Sequence, residues 1–277
     1  MENMATNPNQ ALWEKGDFTA IAQLMRQSGE AVVRSLQLQP PLRALDLGCG
    51  DGTTAMPMAA AGIDVLGVDI AENLVAAGNQ RAARMRLGQR LKFQQGDACN
   101  LQGIADQSFD LVLSMFGAMF APKPFDVARE MVRVTKPGGR IVMGNWIPND
   151  PTSFVSQLLK ISTAFTPPPP EGFISPMTWG VEANILDRFE QAGVAKGRVT
   201  MLRDSYAFVA DDQTPADVIA LFRRFYGPTM NAFEAAQKNG RAAELEQQLI
   251  ELANAQNQGT GGGTSITATL MRVTVRR

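Results

Sequence analysis

Residues 44–55 read ALDLGCGDGTTA. Ala44, Leu45 and Leu47 form an apolar run of strand character, and Gly48, Gly50 and Gly52 follow at alternate positions. Thr53 and Thr54 are N-cap residue types, so a helix is expected directly after them. A strand, a glycine-rich turn and a helix N-terminus together build a small-molecule site, because glycine lets the backbone turn sharply and lets a ligand come close.

On either side of this stretch, strand-like and helix-like segments alternate. Strands are expected over 43–47, 64–69, 91–95, 109–115 and 140–145, with helices over 57–61, 71–87 and 124–134 between them. A helical spacing of apolar residues covers 11–37 and stops before Pro40-Pro41. Such alternation predicts a parallel sheet covered by helices on both faces. Beyond Trp146 a helix is followed by the proline run TPPPPEG (166–172), which cannot join a central strand. Residues 181–193 return as a helix stopped by Gly193. Two alternating segments, 198–210 and 265–277, read as strands, and between them lie the helical patterns 216–236 and 242–256 and the loop QNQGTGGGTS.

Composition narrows the class. The 277 residues are 45% hydrophobic and 19% charged, as in an ordinary globular chain. With 26 Lys+Arg against 27 Asp+Glu, no global basic field recruits nucleic acid or an anionic membrane. The local cluster Arg81, Arg84, Arg86 and Arg90 reads as a solvated helix face. Two cysteines, Cys49 and Cys99, suffice for neither a disulfide framework nor a thiolate metal cluster, and read as packing residues. No metal is expected. Histidine is absent, which removes the commonest metal ligand and the only side chain with an ordinary pKa near 6.5. The N-terminal segment MENMATNPNQ lacks the apolar core of a signal peptide, and no apolar stretch is long enough to span a bilayer, so a soluble cytoplasmic protein is expected.

Two ligands suit the glycines. The dinucleotide fingerprint G-x-G-x-x-G needs a third glycine where Thr53 stands, which disfavours a dinucleotide-dependent oxidoreductase. The alternative, S-adenosyl-L-methionine, draws on segments further along: VLGVDI ending at Asp69 and Ile70, FQQGDAC with Asp97 and Ala98, SFDLVLSMFGAMF, and EMVRVTKPGGRIVMGNW. In this order they resemble the class I S-adenosylmethionine-dependent methyltransferases, most of all the small-molecule branch similar to ubiquinone/menaquinone methyltransferases. The resemblance covers residues 42–146 with specific motifs and the remainder loosely.

The resemblance implies a Rossmann-like α/β fold with a seven-stranded, mostly parallel sheet in the order 3-2-1-4-5-7-6, helices on both faces and a helical cap. It implies one domain, with a core of about 41–147, 181–210 and 264–277 and a cap of about 1–40, 148–180 and 211–263. Gly48 and Gly50 would pass under the methionyl part of the cofactor with Asp46 near its amino group. Asp69 would hold the ribose, Asp97 and Ala98 the adenine, and Ser114, Met115 and Phe116 the wall near the methyl group. The segment LWEKGDF, with Trp13, would form a lid. Phe120, Trp146, Trp179 and Tyr226 are expected to bind a small-molecule acceptor. Asp204, Tyr206, Tyr226 and Glu171 are candidates for a base, should one be needed. A non-catalytic S-adenosylmethionine-binding protein fits the same motifs.

Overall fold

The computed structural model describes residues 9–277. The first eight residues of the expected cap, and most of the segment read for a leader, lie outside the described residues. Seven strands form one sheet: β1 (Arg43–Leu47), β2 (Asp64–Asp69), β3 (Leu91–Gln95), β4 (Phe109–Met115), β5 (Thr135–Trp146), β6 (Val199–Ala210) and β7 (Thr264–Arg276). Their order is β3-β2-β1-β4-β5-β7-β6. Pairings from β3 to β5 are parallel, and β7 runs antiparallel to both β5 and β6. This is the expected Rossmann-like sheet.

The first four strands begin and end where apolar alternation and glycine or proline punctuation place them. Consecutive residues pack on opposite faces: Leu45, Val112 and Ile141 join one apolar cluster, whereas Ala44, Leu111 and Val142 join another. The first cluster also contains Val127 and Met131 of helix α5 (Pro124–Val134) and Phe189 of α7 (Glu182–Gln191). The second includes Met56 and Met58 of α3 (Ala55–Ala60) and Val75 of α4 (Glu72–Arg84).

Three segments differ from the sequence expectation, each for a local reason. Residues 11–37 divide into α1 (Gln10–Glu14) and α2 (Phe18–Ser35), because Asp17 caps α2 by accepting from the Thr19 N–H. The pattern over 216–236 divides into α8 (Pro215–Phe225) and α9 (Gly227–Lys238). Pro228 has no N–H and cannot continue α8, while the Thr214–Asp217 capping box starts that helix. Strand β5 begins five residues before the expected Arg140. There the Lys136–Gly139 turn becomes a strand irregularity, tied by Gly138 N–H to Arg277 O and by Arg277 N–H to Gly139 O.

Helix α6 (Phe154–Thr163), α8 and α2 each contribute side chains to a cleft at the carboxyl ends of β1, β2, β4 and β5. Helix α10 (Ala242–Gln256) buttresses them from behind through Leu245 and Leu249.

Candidate active site

Each of the three glycines answers a different demand. Gly48 has φ +67° and sits so close to the β4 loop that a Cβ would lie 2.5 Å from Gly117 Cα. Its N–H donates to Val68 O at 2.7 Å, which locks the turn to β2. Gly50 is the open one: a Cβ there would meet only Phe18 Cδ1, at 4.0 Å, so its backbone faces the cleft bare. Gly52 makes room for a ring, with Phe93 Cζ 2.7 Å from its would-be Cβ. The turn, the bare floor and the helix packing are thus separate jobs.

Four carboxylates surround this loop. Asp69, at the end of β2, accepts from Gly50 N–H at 2.8 Å and from Ala71 N–H at 3.0 Å, one on each oxygen. Burial raises its pKa, against the lowering effect of these backbone donors. Asp46 is 1% exposed and accepts from the Thr54 hydroxyl at 2.7 Å. Burial, reinforced by the nearby Asp69 charge, pushes its pKa up to about 7 despite that hydrogen bond. A histidine-free chain therefore has a group titrating near neutrality after all. Asp51 is clamped by Arg26 at 2.5 Å and Arg81 at 3.3 Å, and Arg81 also donates to Asp51 O at 2.6 Å. Asp97 accepts from Cys99 N–H at 2.8 Å, and Ala98 stands beside it on the cleft wall.

Away from the glycines the cleft is aromatic. Phe116 stacks on Trp146 with centroids 3.5 Å apart and planes 3° apart, and meets Tyr206 edge-on at 4.9 Å. Phe116 holds φ +66°, an uncommon conformation for a bulky residue and one that marks functional sites more often than ordinary loops. The rings continue through Phe208, Phe222 and Tyr226 to Trp13, which packs against Phe120 at 4.8 Å. Helix α1 is strapped over this end. Glu14 accepts from the Glu72 N–H at the start of α4, and Lys15 pairs with Glu234 of α9.

Of the residues singled out in the sequence, Trp13, Gly48, Gly50, Asp69, Ile70, Asp97, Ala98, Met115, Phe116, Phe120, Trp146, Tyr206 and Tyr226 line one cleft. Asp46 and Ser114 stand behind its wall. The Ser114 hydroxyl donates to Leu47 O and accepts from Ala118 N–H, which ties β4 to β1. Trp179 is misplaced by the sequence reading: it is 1% exposed, packed on Phe189 and under the Arg188 guanidinium, away from the cleft. Asp204 also lies outside it, paired with Arg272 on the sheet edge, and Glu171 is exposed in the proline-run loop. The Tyr206 hydroxyl already donates to Met25 O at 3.0 Å, and burial raises its pKa, so it is poorly suited to act as a base. Burial pushes the Cys99 thiol up to about 12 and raises that of Cys49 as well, so neither is a thiolate near neutrality.

Sequence reasoning missed Arg26, Arg81, Phe208 and Phe222, whereas Phe18, the last residue of the expected lid segment LWEKGDF, does line the cleft. Arg81 was read as part of a solvated face, because nothing local to α4 reveals that Asp51 stands opposite. Among the described residues no group of three or more His, Cys, Asp or Glu side chains is placed to hold a metal ion. No helix among them is long and apolar enough to cross a membrane.

Comparison with known proteins decides the family. Residues 45–143, the stretch holding the glycine loop, match the model of a methyltransferase domain. An uncharacterized protein of Mycobacterium tuberculosis is 32% identical over 249 residues, covering 88% of this chain and 86% of its own. The chain belongs to the class I S-adenosylmethionine-dependent methyltransferases. A demethylmenaquinone methyltransferase of Paenarthrobacter aurescens is 36% identical over 115 residues, 42% of this chain and 43% of its own. The fold of this methyltransferase also matches that of the YcgJ protein from Bacillus subtilis. There the TM-score is 0.55 at 19% identity, over 91% of this chain and 98% of the other.

The residues present fit S-adenosylmethionine. A bare backbone at Gly50, a strand-end carboxylate with unfilled lone pairs at Asp69, and an aromatic wall beyond suit a polar nucleoside joined to a cation. Among the described residues no lysine or arginine lines the cleft.

Proposed function

We propose that this methyltransferase acts on a small-molecule acceptor by in-line displacement, with the nucleoside at the glycine-loop end of the cleft and the acceptor at the aromatic end. The division of one cleft into a carboxylate-lined half and a ring-lined half carries this reading. Bound S-adenosylmethionine supplies an activated methyl: the acceptor lone pair bonds to that carbon as its bond to sulfur breaks, and the pair on that bond returns to sulfur.

The chain's own part is to hold and to shield. Asp69 takes the ribose hydroxyls on the lone pairs that its backbone donors leave open. Asp97 and Ala98 take the adenine edge. Asp46, behind the loop, supplies negative charge toward the amino group. Phe116, Trp146 and Tyr206 exclude water where the cation sits and face it with ring surface, while the N-terminal helices, α6 and α8–α10 serve as the cap. Positioning of this kind contributes on the order of 7–11 kcal/mol to a displacement. Of the candidate bases that line the cleft, Tyr206 is committed to Met25 O, and burial raises the pKa of both Tyr206 and Tyr226, which fits chemistry driven by alignment.

Asp69→Ala is expected to weaken S-adenosylhomocysteine at least tenfold by calorimetry, since hydrogen bonds to a charged acceptor contribute about 1.5–3 kcal/mol each. Unchanged affinity would remove Asp69 from the site. The function itself is tested by incubating the protein with methyl-labelled cofactor and fractionated metabolite extracts. Label is expected in an acceptor of low molecular mass. Cofactor binding without transfer to any fraction would favour the non-catalytic binding protein.

A further inference from the structure

The aromatic half of the cleft carries its own chemical specification. Among the described residues, every charged residue on the cleft wall is an aspartate: Asp69 at the end of β2, and Asp51 and Asp97 on the loops that follow β1 and β3. No lysine or arginine among the described residues lines any part of it. Two guanidinium groups, those of Arg26 and Arg81, are engaged in ion pairs with Asp51. A carboxylate or phosphate entering the aromatic half would lose its hydration and find no cationic side chain among the described residues of the wall.

Among the described residues the same half holds few polar side-chain atoms. Tyr206 is committed to Met25 O, and the Asn9 amide donates to Phe120 O. Tyr226 differs. It lies at the start of α9, 6% exposed, boxed by Trp13, Phe18 and Phe222. Burial alone moves its pKa upward, with no hydrogen bond contributing. Its hydroxyl stays protonated near neutrality and is available as a donor inside an apolar chamber.

We infer that the acceptor is an apolar, ring-bearing molecule free of carboxylate and phosphate groups, and that Tyr226 positions it by donating a hydrogen bond to an oxygen or nitrogen on it. This rests on the methyltransferase reading of the cleft and narrows it. An anion-bearing metabolite is rejected by the wall itself, and a fully apolar hydrocarbon is admitted but not oriented. Tyr226 is a positioning residue in this account and takes no proton.

The test uses the full chain saturated with S-adenosylhomocysteine and three probes of one skeleton: 2-naphthol, 2-naphthoate and 2-methylnaphthalene. Binding is followed by quenching of the tryptophans, of which Trp13 and Trp146 line the cleft. The naphthol is expected to bind at least tenfold tighter than the naphthoate. Tyr226→Phe is expected to weaken the naphthol by roughly two- to tenfold, the range of one hydrogen bond, and to leave 2-methylnaphthalene within twofold. Naphthoate binding as tightly as the naphthol, or no binding of the naphthol at all, would overturn the inference. So would an equal loss of naphthol and 2-methylnaphthalene in Tyr226→Phe, which is the signature of a repacked wall. Calorimetry on the same sample separates the two levels. Failure of S-adenosylhomocysteine to bind would overturn both readings, whereas tight nucleoside binding with a preferred naphthoate would overturn only this one.

Discussion

Gly48→Ala is expected to abolish measurable cofactor binding and to lower the unfolding free energy by about 3 kcal/mol, from two additive sources. The first is conformational. At φ +67° a side chain pays roughly 1–2 kcal/mol that glycine does not. The second is steric. The new methyl would meet Gly117 Cα at 2.5 Å, Gly117 C at 2.7 Å and Ala118 N at 2.8 Å, all backbone atoms with no flexible end to move aside. Relief requires the β1 and β4 loops to separate, and these are the loops that carry Gly50 on one side and Phe116 on the other. For a chain of this size the loss corresponds to a fall in Tm of roughly 6–12 °C. Gly193→Ala is the control. It has φ +87° but open space around the would-be Cβ, so it should cost only the conformational part and leave cofactor affinity unchanged. Equal behaviour of the two variants in thermal unfolding and calorimetry would show that the Gly48–Gly117 contact does not hold the loops together.

Asp46→Asn should stabilise the protein at pH 8 and leave it unchanged at pH 4. The folded-state pKa of Asp46 is raised from 3.8 to about 7, about three units. Below pH 4 the carboxyl is protonated in both folded and unfolded chains and contributes no difference. As pH rises from 4 to 7, the unfolded chain releases the proton while the folded chain keeps it, so stability falls across that window. Above pH 7 the folded protein carries the full cost of a buried charge, about 4 kcal/mol at most at 1.36 kcal/mol per unit. Asparagine keeps an acceptor for the Thr54 hydroxyl and removes the charge. Urea unfolding at the two pH values checks this: a gain of about 2–4 kcal/mol at pH 8 is expected, and an equal effect at both would show that Asp46 is not the titrating group. The same variant should bind S-adenosylhomocysteine more weakly, because the proposed attraction for the amino group goes with the charge. Stability and affinity would then move in opposite directions, as expected where a site holds an unfavourable group for use.

The two substitutions also mark where the sequence is readable. Strands β1 to β4 were legible to the residue, because a strand buried on both faces writes a short apolar run and glycine, proline and aspartate write its end. Such strand ends, Asp69 among them, are properties of neighbours in the chain, which the chain displays directly. The sheet order, which joins strands distant in the chain, was implied by the family resemblance that the succession of motifs carries.

What tertiary structure alone decided depends on residues that meet only after folding. The sequence shows three alternate glycines but not that Gly48 abuts Gly117 or that Gly52 shelters Phe93. It shows the aspartates but not that burial carries Asp46 to about 7, since desolvation is a property of the surroundings and not of the residue. It shows Arg81 among other arginines, and only the approach of α4 and α2 to the glycine loop joins it to Arg26 on Asp51. Trp146 and Trp179 are alike as tryptophans near the end of the core pattern. One enters the cleft and the other packs under Arg188, because β5 aims the first toward the strand ends and the turn before α7 folds the second into the apolar layer around Phe189. Side-chain direction at such positions is fixed by which elements pack together, and no local pattern records that.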